Sequence, residues 1–467
     1  MAIFIYNSLT RKKEELLPLK PSQVNMYSCG VTVYDDCHIG HARSLYIFDV
    51  IKRYLKYRGF KVNFVRNITD IDDKIINRAR ELNIKWDDLV KMYIEKYYED
   101  MASLNLDKAD NEPRATDNIP DMIFYIQGLL DKGFAYRTQS GVYFSVRKFR
   151  GYGRLSGQGI DRMEEGSRIE VDEKKHEQLD FALWKTAKEG EPYWESPWGR
   201  GRPGWHIECS VMSTKFLKTD TLDIHAGGRD LIFPHHENEI AQSESFTGKP
   251  FAKYWLHHGL LTINGQKMSK SLGNFVTIKD FMLKYRNADI LKLFFLSAHY
   301  SHPIDFNLER IEESKSALER ILIFLDKASK EPQGIAAREA ENKDYAQLEE
   351  ARNNFTAAMD DDFNMPQGLA VLFDLVNIAN KNIKDHSFTV SARGLLLELS
   401  SVFGLGLKET GDSFAGLSPH IRELIDARSA AKRIGDFKEA DRIRKELEGQ
   451  GVILEDSKEG TTWRRRL

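Results

Sequence analysis

The chain has 467 residues, 41% of them hydrophobic and 30% charged, and its 68 Lys and Arg against 70 Asp and Glu leave a formal net charge of −2. That length exceeds one hydrophobic core and points to several domains. The even charge balance excludes a chain held to nucleic acid by its global field, so any such contact has to come from local basic surfaces. Three cysteines, Cys29, Cys37 and Cys209, cannot build a disulfide framework and read as cytosolic thiols or metal ligands. The apolar run Ala2 to Tyr6 is too short for a signal peptide, and no stretch approaches membrane-spanning length. The expected compartment is the cytoplasm.

Taken in order, Val24 to Val33 alternates as a strand, and Ala42 to Arg58 places Leu45, Phe48, Ile51 and Leu55 at helical spacing. Between them lies Cys29 to His41, a strand-to-helix turn of the kind that gathers ligands at the carboxyl edge of an open α/β sheet. His38 and His41 flank Gly40, whose missing side chain would let a flat base pack on the backbone between the two imidazoles. Lys61 to Val65 reads as the next strand. Asp70, Asp72 and Asp73 then form either a metal site or, the reading we favour, a helix-capping turn. Helical patterns follow over Trp86 to Ser103 and again from Ile119. This order predicts a doubly wound parallel sheet.

From about Asp121 to Pro203 the pattern changes. Gly141 to Phe149 alternates like a strand, and Gly151, Gly153, Gly157 and Gly159, with Trp184, Trp194 and Trp198, mark an irregular insertion between two halves of a nucleotide fold. The second half opens at Trp205-His206-Ile207-Glu208-Cys209 and continues through Asp223 to Asp230 into Phe233-Pro234-His235-His236-Glu237-Asn238-Glu239. With Pro234 in a first helical turn, His235 and Glu239 share one helix face. Together with Cys29 and Cys209 they would supply two thiolates, an imidazole and a carboxylate, a plausible tetrahedral zinc set. Spacing alone leaves His236 as a competitor for His235. Downstream, Lys267-Met268-Ser269-Lys270-Ser271 lies between Gly265 and Gly273 and reads as a cationic loop able to close over a polyphosphate.

His38 to His41 is a literal HIGH and Lys267 to Ser271 a literal KMSKS, so the chain resembles a class I aminoacyl-tRNA synthetase. Cys29 to Asp35, Arg202 to Ser210, Gly227 to Glu239 and Lys267 to Asn274 narrow the resemblance to the cysteinyl-tRNA synthetase family, loosely over the whole chain. The resemblance implies adenylation of cysteine by ATP with Mg2+, then transfer to tRNA(Cys). It gives His38, His41, Lys267 and Lys270 the catalytic roles, and places His38, Gly40, His41 and Lys270 around the nucleotide. It also assigns one zinc per chain to Cys29, Cys209, His235 and Glu239, leaving Cys37 and His236 out. Thr69, Trp205, His225 and Asp230 become cysteine-pocket residues. No membrane partner is expected, and the chain reads as a monomer.

The fold expected is therefore a Rossmann-type doubly wound parallel sheet with a connective insertion, a helical bundle and a small C-terminal α/β anticodon-binding module. The expected divisions are 1–120 and 204–258 for the two catalytic halves and 121–203 for the insertion. The KMSKS loop with its stem contacts takes 259–308, the bundle 309–405 and the C-terminal module 406–467. In the bundle, Ile311, Leu318, Ile321, Leu322 and Leu325 share a face, Pro332-Gln333-Gly334 breaks the helix, and Asp360 to Pro366 opens another. In the tail, helices over Ile421 to Ile434 and Phe437 to Leu447 precede a hairpin pairing Val452 to Leu454 with Thr461 to Trp463. The tail is expected to expose Arg422, Arg428, Lys432, Arg433, Lys438, Arg442, Arg444 and Lys445 and to end in Arg464, Arg465 and Arg466. Basic charge beside an aromatic ring suits an RNA reader. Three other readings are weaker. A ligase passing cysteinyl-adenylate to a small amine lacks such a tail, intact motifs oppose a non-catalytic RNA- or zinc-binding paralogue, and a pantothenate synthetase relative leaves the zinc set unexplained.

Overall fold

The computed structural model describes residues 2–160, 175–269, 272–329, 345–407, 419–450, 452–457 and 460–465. At its centre four parallel strands run in the order Ala252–His258, Leu222–Gly228, Gln23–Ser28, Lys61–Arg66. Gln23–Ser28, the first strand of this sheet in chain order, is thus an inner one, with the second, Lys61–Arg66, to one side and the third, Leu222–Gly228, to the other. Ligands collect at the carboxyl edge of such a switch point, because the helices on either side diverge there. Helix Ile39–Tyr57 connects the first two strands, and helix Glu237–Thr247 connects the last two.

The first strand ends at Ser28 rather than continuing to Val33. Gly30 approaches the Asn67 carbonyl so closely that a Cβ would lie 1.7 Å from its oxygen, and pairing resumes only as a bridge between Thr32 and Thr69. Between the halves, Ala135–Thr138, Gly141–Phe144, Phe181–Thr186 and Gly201–Pro203 form an antiparallel sheet with its own apolar core. The alternation expected to Phe149 stops at Phe144, and a short 3-10 turn follows at Val146–Lys148.

Beyond the parallel sheet, hairpin Leu261–Ile263 and Gln266–Lys267 pairs in parallel with Ile304–Phe306. Helices Leu308–Ser329, Ala346–Asp360, Met365–Lys381 and His386–Val402 then pack into the main core. The expected break at Pro332 to Gly334 lies outside the described residues. Helices Pro419–Arg433 and Phe437–Gly449 precede a hairpin that sets Leu454 opposite Trp463. This tail keeps a separate small core of Ile425, Ile443, Leu447, Val452 and Leu454. Among the described residues no helix is long and apolar enough to cross a membrane.

The tail differs from the expected exposure at Arg428, which is buried; Arg442 and Arg444 are exposed as expected, the first pairing with Glu439 and Glu446 and the second with Glu448 on their own helix. The side chains of Arg422, Trp463, Arg464 and Arg465 and all of Arg466 lie outside the described set. Near the insertion, Asp72 caps helix Asp73–Leu82, Asp70 accepts from the Thr116 backbone and hydroxyl, and Asp73 pairs with Lys185 and Arg202. The three carboxylates therefore point to separate partners, as a capping turn requires.

Candidate active site and metal centre

The HIGH stretch is organised by the helix it begins. His38 is the N-cap of helix Ile39–Tyr57, and its Nδ1 accepts from the backbone N–H of Gly40 at 3.1 Å and of His41 at 3.3 Å. His41 Nδ1 accepts in turn from the His38 N–H at 3.3 Å, closing a reciprocal capping box. With each Nδ1 occupied as an acceptor, the proton of each neutral ring sits on Nε2. Burial pushes His38 down to about 4, and burial with the neighbouring charges of His38 and Lys74 pushes His41 down to about 3. At neutral pH the pair therefore offers two uncharged N–H donors above a helix N-terminus, a combination suited to phosphate oxygens.

The rings stack on each other at 3.7 Å, and the space above Gly40 is filled by the His38 ring and the Met268 methyl. A flat base lying between the two imidazoles, as the sequence suggested, has no room in this arrangement. Gly40 instead lets the downstream loop approach. Ile39 N–H donates to Val276 O and Ile278 N–H to Cys37 O, so the segment after the KMSKS loop is laced directly to the HIGH turn. Lys267 is exposed on the hairpin, and Asn274 spans the loop by accepting from Ser269 N–H and donating to Lys267 O. Lys270 and Ser271 lie outside the described residues.

On the other side of the same sheet edge, Cys29, Cys209, His235 and Glu239 converge, with one ligand atom of each within 4.8 Å of the others and all four buried. Cys29 leaves the end of the first strand, Cys209 lies on helix Trp205–Leu217, and Glu239 is in the first turn of helix Glu237–Thr247. Pro234 does not enter that helix as expected. Phe233 is extended, the Phe233–Pro234 bond is cis, and regular helix starts at Glu237, yet His235 Nε2 still reaches Glu239 Oε1 at 2.9 Å.

The spacings suit a tetrahedral ion. Zinc with sulfur at about 2.3 Å and nitrogen or oxygen at about 2.0 Å sets sulfurs about 3.8 Å apart and sulfur to nitrogen about 3.5 Å. The two Sγ atoms are 3.7 Å apart, His235 Nε2 lies 3.4 and 3.5 Å from them, and Cys29 Sγ lies 3.5 Å from Glu239 Oε1. A second cluster, Cys29, His225, His236 and Glu239, overlaps the first. Its chemistry fits less well, since it holds one sulfur and its His225 Nε2 is hydrogen-bonded to Glu239 Oε2 at 2.7 Å. His236 lies 3.3 Å from Cys29 Sγ but is engaged on its far side by His257, which continues to Ser8.

The four side chains shift one another's protonation. Burial and the charges of His225 and His235 act in opposite senses on Glu239, and the histidines prevail, bringing it down to about 2. Burial would lower His235, but Glu239 and Cys209 outweigh it and raise it to about 10. For Cys209 burial is outweighed by the hydrogen bond from Cys29 and by His235, which bring it down to about 6, whereas burial and Cys209 push Cys29 well up. The raised His235 thus favours a proton on the Nε2 that faces Cys209 and Glu239, both of which are shifted toward their ionised forms.

The four expected pocket residues divide. Trp205 is 38% exposed and stacks on the His235 ring at 4.1 Å, so it walls the four-residue cluster from the solvent side. Thr69 is buried, donating to Glu208 at 2.7 Å and accepting from Asn67 at 3.1 Å. His225 is fully buried against Trp255 and spends its Nε2 on Glu239, which makes it a support for a ligand rather than an open pocket wall. Asp230 is exposed on the turn Arg229–Leu231. Sequence reasoning missed His206, whose Nδ1 lies 2.9 Å from His235 Nδ1 and fixes that ring's orientation. Its place one residue after Trp205 was the only signal. Cys37 packs in the main core, where burial pushes its thiol up to about 12.

Comparison with known proteins agrees with this geometry. Residues 15–316 match the class I (C) tRNA synthetase catalytic domain, 354–408 the DALR domain and 415–464 the cysteinyl-tRNA ligase anticodon binding domain. The chain is 49% identical to the cysteine–tRNA ligase of Anoxybacillus flavithermus and 47% identical to that of Persephonella marina, in each case over 100% of both chains. The fold is similar to Mycobacterium tuberculosis methionyl-tRNA synthetase in complex with methionyl-adenylate, with a TM-score of 0.61 and 15% identity over 86% of this chain and 95% of that one. With matching models along its length and relatives of near-half identity across all of it, the chain belongs to the cysteine–tRNA ligase family of class I aminoacyl-tRNA synthetases.

Proposed function

We propose that the chain activates L-cysteine with ATP and Mg2+ and ligates it to tRNA(Cys). The carrying observation is the convergence of two thiols, an imidazole and a carboxylate at the sheet edge that also carries the HIGH turn. A cysteine carboxylate oxygen attacks the α-phosphorus of ATP, the new O–P bond forms, and the bond to pyrophosphate breaks. His38 and His41 donate from Nε2 to the phosphoryl oxygens, and Lys267 with Lys270 neutralises the departing pyrophosphate. A terminal ribose hydroxyl of the tRNA then attacks the carbonyl carbon and AMP leaves.

Cys29, Cys209, His235 and Glu239 would hold one zinc ion, with His225 and His206 orienting Glu239 and His235. Bound zinc supplies a soft Lewis acid that prefers a thiolate to a hydroxyl, a distinction packing alone makes weakly. Trp205, Thr69 and Asp230 frame the amino acid, while His225 acts through Glu239. The anticodon side of the tRNA falls to the tail. We read the enzyme as a cytoplasmic monomer.

Pyrophosphate exchange into ATP, run with cysteine and with serine beside a metal analysis, tests this reading. Cysteine should support exchange with one zinc per chain, and chelation should abolish discrimination against serine. A chain that still prefers cysteine to serine after its metal has been removed, or that is purified without metal and discriminates fully, would overturn it. Transfer to a small amine is disfavoured by the anticodon-binding domain at 415–464.

A further inference from the structure

Arg43 lies two residues beyond the HIGH turn and is fully buried. Its Nη1 donates to the carbonyls of Gly259 and Leu260, both at 2.8 Å, and its Nη2 to those of Tyr300 at 3.3 Å and His302 at 2.6 Å. No carboxylate pairs with it among the described residues, and its Nε is buried without a partner. A guanidinium satisfied by carbonyl dipoles alone is an expensive way to join two segments, so its placement calls for a reason.

The four carbonyls supply one. Gly259 and Leu260 are the root of hairpin Leu261–Ile263 and Gln266–Lys267, which carries Lys267 into the KMSKS loop. Tyr300 and His302 belong to the turn that buttresses this root: Gly259 N–H donates to Tyr300 O, Ile304 N–H to Leu260 O, and a Cβ on Gly259 would lie 2.1 Å from the His302 backbone. The same turn is tied to the helical bundle, where Tyr300 OH donates to Asp362 at 2.8 Å. One planar fork on the HIGH helix therefore grips both the root of the hairpin that leads into the lysine loop and the turn that buttresses that root.

We propose that Arg43 is a positioning residue for adenylation: it fixes the root of the KMSKS hairpin against the HIGH helix, setting the separation between the imidazole donors and the loop lysines. This rests on the ATP reading above. A lysine could not replace it, since a single ammonium cannot span two pairs of carbonyls as a planar fork does.

The test uses full-length Arg43→Lys and Arg43→Ala beside Gly259→Ala, which disturbs the same junction from the opposite side. Pyrophosphate exchange with the wild-type chain first establishes the ATP reading by itself. In all three variants kcat should fall at least tenfold while the KM for cysteine changes less than threefold and bound metal is retained. Hydrogen exchange should rise at residues 259–267 and 300–304 while the strand Leu222–Gly228 stays protected, and millimolar guanidinium should restore part of kcat in Arg43→Ala only. Unchanged kcat in a folded variant would overturn the proposal. Loss of metal or of cysteine affinity in step with kcat would do the same, by showing a general structural role.

Discussion

The protonation pattern of the metal centre makes a quantitative forecast that needs no turnover. At pH 7.5 the ion-free cluster holds a proton on His235, raised to about 10, and one on Cys29, raised well above its ordinary value, while Cys209 at about 6 and Glu239 at about 2 are ionised. A zinc ion bound by two thiolates, a neutral imidazole and a carboxylate must displace both protons. Two released protons give a hundredfold gain in apparent affinity per pH unit, about 2.7 kcal/mol, because each proton contributes about 1.36 kcal/mol per unit. The sign follows from the raised groups: affinity grows as pH rises and continues to grow until His235 titrates near 10. Below about 6, Cys209 also takes up a proton and the slope steepens. Isothermal titration calorimetry of the chelator-treated protein in buffers of differing ionisation enthalpy reads the proton count directly. A count below one at pH 7.5 would refute the protonated state of His235 and Cys29.

Three further outcomes are expected. Because His38 and His41 lie at about 4 and about 3, both rings are neutral above pH 5, so exchange activity should show no ionisation near 6.5 attributable to them; a pKa of that size that vanished in His38→Asn would contradict the donor assignment. Lys267→Ala and Lys270→Ala should each slow adenylation by about 100-fold or more while leaving cysteine binding, measured by equilibrium dialysis, nearly intact, and equal loss of both would argue against a leaving-group role. Removing residues 408–467 keeps the Gly406 and Leu407 N–H groups on Asp289 and leaves the main core whole, so pyrophosphate exchange should survive within about threefold while charging of tRNA collapses. Charging that persisted would show that the tail does not read RNA.

The sequence carried the fold because its elements are locally consistent: alternating strands, amphipathic helices and turn residues all point to one parallel sheet with an insertion. It also carried the chemistry of the site, since Cys29, Cys209, His235 and Glu239 are the residue types zinc takes, and the HIGH and KMSKS stretches are contiguous. What it could not reach were contacts between stretches far apart in the chain. That His235 meets both sulfurs, while His236 meets Cys29 in the overlapping cluster, is settled by the irregular backbone around Phe233 and Pro234. The neutral Nε2–H form of the HIGH histidines follows from a capping box that exists only once the helix has formed.

Sequence by itself therefore determined which chemical groups are present and the kind of architecture that carries them, because composition, periodicity and short motifs are properties of neighbouring residues. Tertiary structure alone decided how those groups are charged, oriented and held. Cys29 meets His235, and Arg43 the carbonyls that grip it, across more than 200 residues of chain, and the burial that raises Cys29 and the charges that raise His235 arise only when the sheet assembles.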